Sequence, residues 1–188
     1  MTGRRLPNRE QRGATMIEVL VTLVILTLGL FGLTALQARL QVSEVESYQR
    51  AQALILLNDM ANRLAANRVA AATYVTVSAL GTGANCAAIG TDTRRKQDAT
   101  EWCEVLQGAA ETSGGGNVGA MIGARGCVES LGSGEYMITV AWQGMAPIAA
   151  PPASVGCGSG AYNMAGTTCV DDLCRRVVTT VVRIAGLS

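Results

Sequence analysis

Gly13-Ala14-Thr15-Met16-Ile17-Glu18-Val19-Leu20-Val21 opens a segment in which no proline occurs until well past Ala71. One helix of roughly 55 residues, from Ala14 to about Ala71, is therefore expected, near 80 Å long at ~1.5 Å per residue. Val19 to Leu36 is an 18-residue run whose only polar side chains are Thr22, Thr27 and Thr34. At about 27 Å it nearly matches a ~30 Å hydrocarbon core. From Gln37 to about Ala71, apolar residues recur at helical steps between Glu44, Glu46, Arg50, Asp59 and Arg63. Val45, Tyr48 and Ile55 make one series, and Leu57, Met60 and Leu64 another. That alternation describes an amphipathic helix. The expected division is a basic head at 1–13, a membrane half of the helix at 14–36, an amphipathic half at 37–71 and a globular domain at 72–188. The amphipathic half, including Leu54-Ile55-Leu56-Leu57, is expected to pack on the domain. Gly29 and Gly32 each cost the helix ~1 kcal/mol and suit either local stretching or close helix packing.

Ahead of the apolar run, Thr2 to Gly13 carries Arg4, Arg5, Arg9 and Arg12 against Glu10 alone. Basic flanks stay in the cytoplasm, so the residues beyond Leu36 are expected in the periplasm of a bacterium, held by a single pass through the inner membrane. A secretory signal would place a small-residue cleavage site after the apolar run. Here the chain continues through Gln37, Ala38 and Arg39 in helical sequence, so the apolar segment is expected to be retained. Glu18 stands at its mouth, where an ionisable group calls for a partner or for the interface.

Composition limits the chemistry. The 188 residues suit one domain, 49% are apolar, and the 22 glycines lie mostly in the second half. There is no histidine, which removes Ser-His-Asp and Cys-His nucleophiles, His-containing zinc sites and histidine pH switches. Glu101 with Glu104, and Asp171 with Asp172, are nearby carboxylates, but nothing around them marks a substrate pocket. Asp171 and Asp172 also lack the oxygen-rich spacing of a calcium loop. No enzymatic activity, cofactor or metal is expected. Arg94-Arg95-Lys96 and Arg175-Arg176 are the clusters a DNA- or ligand-binding module would use, and the first reads as a solvated loop. Without residues 1–13, which hold four arginines and one glutamate, the formal side-chain charge falls from +1 to −2, so general affinity for nucleic acid is disfavoured.

Beyond Ala72 the sequence turns to Gly, Thr, Ala and Cys. Little regular structure is expected from Thr73 through Gly126, and Gly114-Gly115-Gly116 reads as flexible loop, since no Gly-Lys-Ser or Gly-Lys-Thr follows. Two strands are clear, Glu135 to Gln143, with Tyr136, Ile138, Val140 and Trp142 on one face, and Arg175 to Ile184. A shorter strand is expected through Cys127 and Val128, and Met145 to Thr168 is an irregular excursion. The fold class is α+β, a long helix on a small antiparallel sheet. Cys86, Cys103, Cys127, Cys157, Cys169 and Cys174 are even in number and, in an oxidising compartment, read as disulfides. No Cys-x2-Cys pair supports zinc. Of fifteen pairings, the expected set is Cys86–Cys103, Cys157–Cys169 and Cys127–Cys174, which would staple the loops and tie the last strand to the first.

The stretch from Arg12 to Leu20, with glycine five residues before the acid, a basic leader and an apolar run directly after, resembles the type IV prepilin signature. That resemblance implies cleavage between Gly13 and Ala14 by a membrane prepilin peptidase and N-methylation of Ala14. Glu18 becomes the fifth mature residue, paired with the Ala14 amine of an adjacent subunit. Three further stretches make the chain similar to the PilV minor pilins, the type IV pilus modification proteins. They are Gly29-Leu30-Phe31-Gly32-Leu33-Thr34-Ala35-Leu36-Gln37, Tyr136-Met137-Ile138-Thr139-Val140-Ala141-Trp142-Gln143-Gly144 and Cys174-Arg175-Arg176-Val177-Val178. This implies a low-copy subunit that joins other minor pilins and the major pilin through the inner-membrane assembly platform. It would enter a priming or tip complex, start pilus assembly for adhesion and twitching motility, and help present a large tip adhesin. A minor pseudopilin of a type II secretion system shares the leader and the helix-plus-sheet design. A membrane-anchored periplasmic DNA- or ligand-binding module is the reading from another class.

Overall fold

A computed structural model describes residues 13, 15–109, 111–114, 116–117, 119 and 121–185. The chain forms two compact units, Met1–Ser43 and Glu44–Ser188.

Helix α1 spans Met16–Ala66, 51 residues. It starts at Thr15, whose carbonyl accepts from the Glu18 and Val19 amides at 3.0 and 3.2 Å. Within the apolar run, the hydroxyls of Thr22, Thr27 and Thr34 donate to the carbonyls of Val19, Val24 and Phe31 at 2.8, 2.8 and 2.9 Å. The run's only polar side chains are thus satisfied by its own backbone, which makes it compatible with hydrocarbon. The helix ends one turn earlier than its pattern suggests. Arg68–Tyr74 continues as a 3-10 turn, where Ala71 and Tyr74 are buried.

In the second unit, the buried face of α1 is Gln49, Ala53, Leu56, Leu57, Met60 and Leu64. The series through Leu57, Met60 and Leu64 is therefore the core stripe. The series through Val45, Tyr48 and Ile55 faces outward, 42%, 50% and 59% exposed, and Leu54 is exposed beside it. Packing selects one of two apolar stripes because one helix face alone can lie on the sheet.

That sheet has four antiparallel strands in the order β1-β4-β5-β6: β1 Leu80–Gly81, β4 Arg125–Gly132, β5 Glu135–Gln143 and β6 Arg175–Arg183. The two strands expected clearly are β5 and β6, the shorter one is the start of β4, and β1 is a fourth. Strands β2, Thr112–Ser113, and β3, Gly116–Asn117, form a separate small pair. Tyr136, Ile138, Val140 and Trp142 pack with Val128 and Val178 against the α1 stripe. The expectation of little regular structure between Thr73 and Gly126 is corrected by helix α2, Arg94–Leu106. Thr93 caps it, its hydroxyl accepting from the Lys96 amide at 3.3 Å. Ala99, Trp102, Cys103 and Leu106 are buried at helical spacing, and Trp102 Nε1 donates to the Leu56 carbonyl of α1 at 2.9 Å.

All six cysteines are paired, as Cys86–Cys103, Cys127–Cys157 and Cys169–Cys174. The first pair is as expected, and the expected Cys157–Cys169 and Cys127–Cys174 are replaced. Cys127 lies opposite Thr139 in the β4–β5 register, on the sheet face away from α1. The excursion folds over that face, bringing Cys157 within 3.9 Å of the Thr139 carbonyl. Asp171 and Asp172 both take left-handed backbone conformations, φ 51° and 60°, and turn the chain back so that Cys174 meets Cys169. Spacing alone reveals neither the draped excursion nor the tight reversal.

Candidate functional site

Of the residues singled out at the head of the chain, Gly13 and Glu18 are among those described, and Glu18 lies in the first turn of α1. Gly13 is exposed, with no described residue within 4 Å of a Cβ placed there, and Ala14, with the leader residues 1–12, lies outside the described residues. Glu18 is exposed in the first turn, where its charge is favoured by the helix dipole. Thr15 and Glu18 stand three apart in the pattern of a capping box, and the Glu18 amide lies 3.4 Å from the Thr15 hydroxyl. The carboxylate itself forms no ion pair among the described residues. Directly beyond it α1 is apolar on every side. Leu28, Phe31 and Leu33 are 67%, 74% and 56% exposed, and the helix is long and apolar enough to cross a membrane, its most apolar 18-residue window having a mean hydropathy of 2.5.

Most of the other candidates are held in internal contacts. Arg94 and Lys96 pair with Asp98 and Asp92 at 3.2 and 2.8 Å, and Arg95 Nε donates to the Thr73 carbonyl at 2.7 Å. These cations form the first turn of α2 and not the expected solvated loop. Arg175 and Arg176 pair with Asp172 and Glu46, each at 3.1 Å. Glu101 binds Arg63 at 2.6 Å, while Glu104 is exposed on α2 and Asp171 on the turn. The Asp172 carboxylate accepts from the Gly160 amide at 2.8 Å and the Ser159 hydroxyl at 3.1 Å, fastening the excursion. No group of three His, Cys, Asp or Glu side chains that could hold a metal occurs among the described residues.

One buried polar cluster escaped the sequence reading. Asp98, 1% exposed, receives Tyr74 Oη at 2.5 Å and Arg63 Nη1 at 3.1 Å, joining α1, the 3-10 turn and α2. Burial works against the Arg63 charge, but hydrogen bonds to Glu101 and Asp59 hold its pKa above the ordinary value. The hydrogen bond from Arg63 holds Glu101 below the usual carboxylate value. Burial, then Asp98, pushes Tyr74 up, and burial pushes Tyr162 up. The cluster's job is cohesion. The readable signal was an aspartate on the apolar face of a capped helix.

Residues 8–34 match the prokaryotic N-terminal methylation motif. No curated protein and no solved structure matches the chain. The match covers the head of the chain alone, a methylation motif of the kind found in type IV pilin-like proteins and pseudopilins, and with the apolar start of α1 it supports anchoring in a membrane.

Proposed function

We propose that the chain is a minor pilin of the PilV kind, a low-copy subunit that joins other minor pilins at the tip or priming complex of a type IV pilus. The observation that carries this reading is the methylation motif at 8–34 running without a break into α1, whose later turns belong to a disulfide-bonded α+β head. In this proposal prepilin peptidase removes 1–13 on the cytoplasmic side, Ala14 is methylated, 14–36 sits in the inner membrane, and 37–71 supports the periplasmic domain at 72–188. Glu18 then pairs with the Ala14 amine of a neighbouring subunit as the assembly platform draws the chain into the fibre. Unit charges ~4 Å apart attract by ~4 kcal/mol at an effective dielectric near 20, before desolvation is subtracted. The pair acts chiefly on register, because a misplaced subunit leaves a charge unpaired among apolar helices. Presentation of a tip adhesin, adhesion and twitching motility belong to the same proposal.

The intrachain pairing of Arg94, Lys96, Arg175 and Arg176 counts against the DNA-binding alternative. Intact mass spectrometry under non-reducing conditions, with and without prepilin peptidase, tests the proposal. The expected product lacks Met1 to Gly13, carries one methyl group on Ala14 and retains three disulfides. An uncut chain refutes it. Among processed chains, co-purification with minor pilins separates a pilus subunit from a minor pseudopilin, which would co-purify with secretion components.

A further inference from the structure

The two edges of the sheet differ. On the β4 side, β1 pairs with Arg125 and Gly126, and Thr76 closes Val128, its amide donating at 2.9 Å and its hydroxyl accepting at 3.1 Å. On the β6 side, the Ile184 amide donates to Gly134 and the Gly144 amide to Cys174, each at 2.8 Å, which fixes the parity of the ladder. Even-numbered residues from Cys174 to Ile184 turn their N–H and C=O groups toward β5, and odd-numbered residues turn theirs outward. The Arg175 amide finds Asp172 at 3.0 Å. Those of Val177, Thr179, Val181 and Arg183 have no partner among the described residues. Neither lysine, proline nor a register shift interrupts Val177 to Val182, so the usual protections of a free edge are missing there.

Beside the end of β6, on the sheet face that carries Tyr136, lies a recess of about 320 Å³ lined by Val69, Ala71, Tyr136 and Ile184. Arg68 lines it too and makes no ion pair among the described residues. A row of outward donors and acceptors repeating every second residue, about 6.6–6.8 Å apart, is matched by another extended backbone and by no helix. We propose that the outer edge of β6 accepts an extended segment of another subunit as an added strand, with an apolar side chain of that segment in the recess and an acidic group against Arg68. The inference rests on the reading of the chain as an assembly subunit, and it names where and how one neighbour is held.

The test places a photoreactive benzophenone amino acid at Thr179, Val181 or Ile55 of the full chain, in cells with the peptidase and the assembly machinery. Ile55, on the outward stripe of α1, reports assembly contacts of any kind. Adducts from Thr179 and Val181 to one contiguous partner peptide are expected. The Val181 adduct should be lost on Thr179→Pro and kept on Thr179→Val. Proline there removes an outward amide and no β5–β6 bond, and intact disulfides verify folding. Thr179→Lys, which keeps the amide but charges the edge, should give the same loss and decides the matter if the proline variant misfolds. Ile55 adducts with none from Thr179 or Val181, or a Val181 adduct indifferent to both edge variants, overturn strand addition alone. Absence of adducts at all three positions overturns it together with the assembly reading.

Discussion

Glu18 is a residue whose local and assembled roles separate cleanly. In the isolated chain it sits in the first helical turn, exposed, so removing its carboxylate costs the fold little. In the proposed bundle of apolar helices the same carboxylate would decide alignment. Glu18→Ala is therefore expected to insert and be processed normally but to enter filaments poorly, as read by comparing membrane and sheared-fibre fractions; normal incorporation would sink the assembly role. Gly126 makes the opposite case, a residue that matters to the head alone. A side chain there would run into the Trp102 ring and Leu106 of α2, so Gly126→Ala is expected to destabilise by ~1–3 kcal/mol in denaturant melts. Glu18 is legible because its motif is contiguous. The partners of Asp98 are not, since Tyr74 and Arg63 lie 24 and 35 residues away and nothing local announces them.

At the scale of elements, α1 carries two apolar stripes with different fates. Leu57, 3% exposed, faces the sheet, and Leu57→Ala should cost the unassembled protein ~2–5 kcal/mol. Ile55, 59% exposed, should cost within about ±0.5 kcal/mol when changed to alanine, and any larger effect of that variant should appear only in assembly. Equal losses of stability for both would contradict the assigned faces. The sequence shows both stripes at helical spacing and so predicts the helix, but the choice between them depends on which face the sheet meets. Helix α2 carries local signals of its own. Thr93 in the capping position and the spacing of Ala99, Trp102, Cys103 and Leu106 are the ordinary start and face of a helix, obscured by the glycine-rich sequence on either side.

For the whole molecule, stability should depend on alkali through the buried phenols. Tyr74 and Tyr162 are both held neutral, their pKa values raised above an unfolded value near ~10. Their contribution is fully present below pH ~10 and is lost as pH rises through the folded values, because the unfolded chain gives up those protons first. Denaturation midpoints should fall above pH ~10, and the fall should be shallower in Tyr74→Phe and in Tyr162→Phe; an unchanged slope in both would show that other groups control it. The disulfides add cohesion of unequal size. In the chain-entropy model the Cys127–Cys157 bridge, 30 residues apart, contributes ~4 kcal/mol, and Cys169–Cys174, 5 apart, ~2 kcal/mol. What the sequence by itself determined is everything set by contiguous residues: the apolar run, the acid at its mouth, the length of α1 to within about a turn, strand β5 with its inward face, and strand β6. What only the tertiary structure decided is everything set by meetings across the chain: the stripe of α1 that is buried, two of the three disulfides, the cluster around Asp98 and the open edge of β6. The first kind follows from backbone periodicity and hydrophobic patterning, which act over a few residues, whereas the second depends on which surfaces come together once the chain has collapsed.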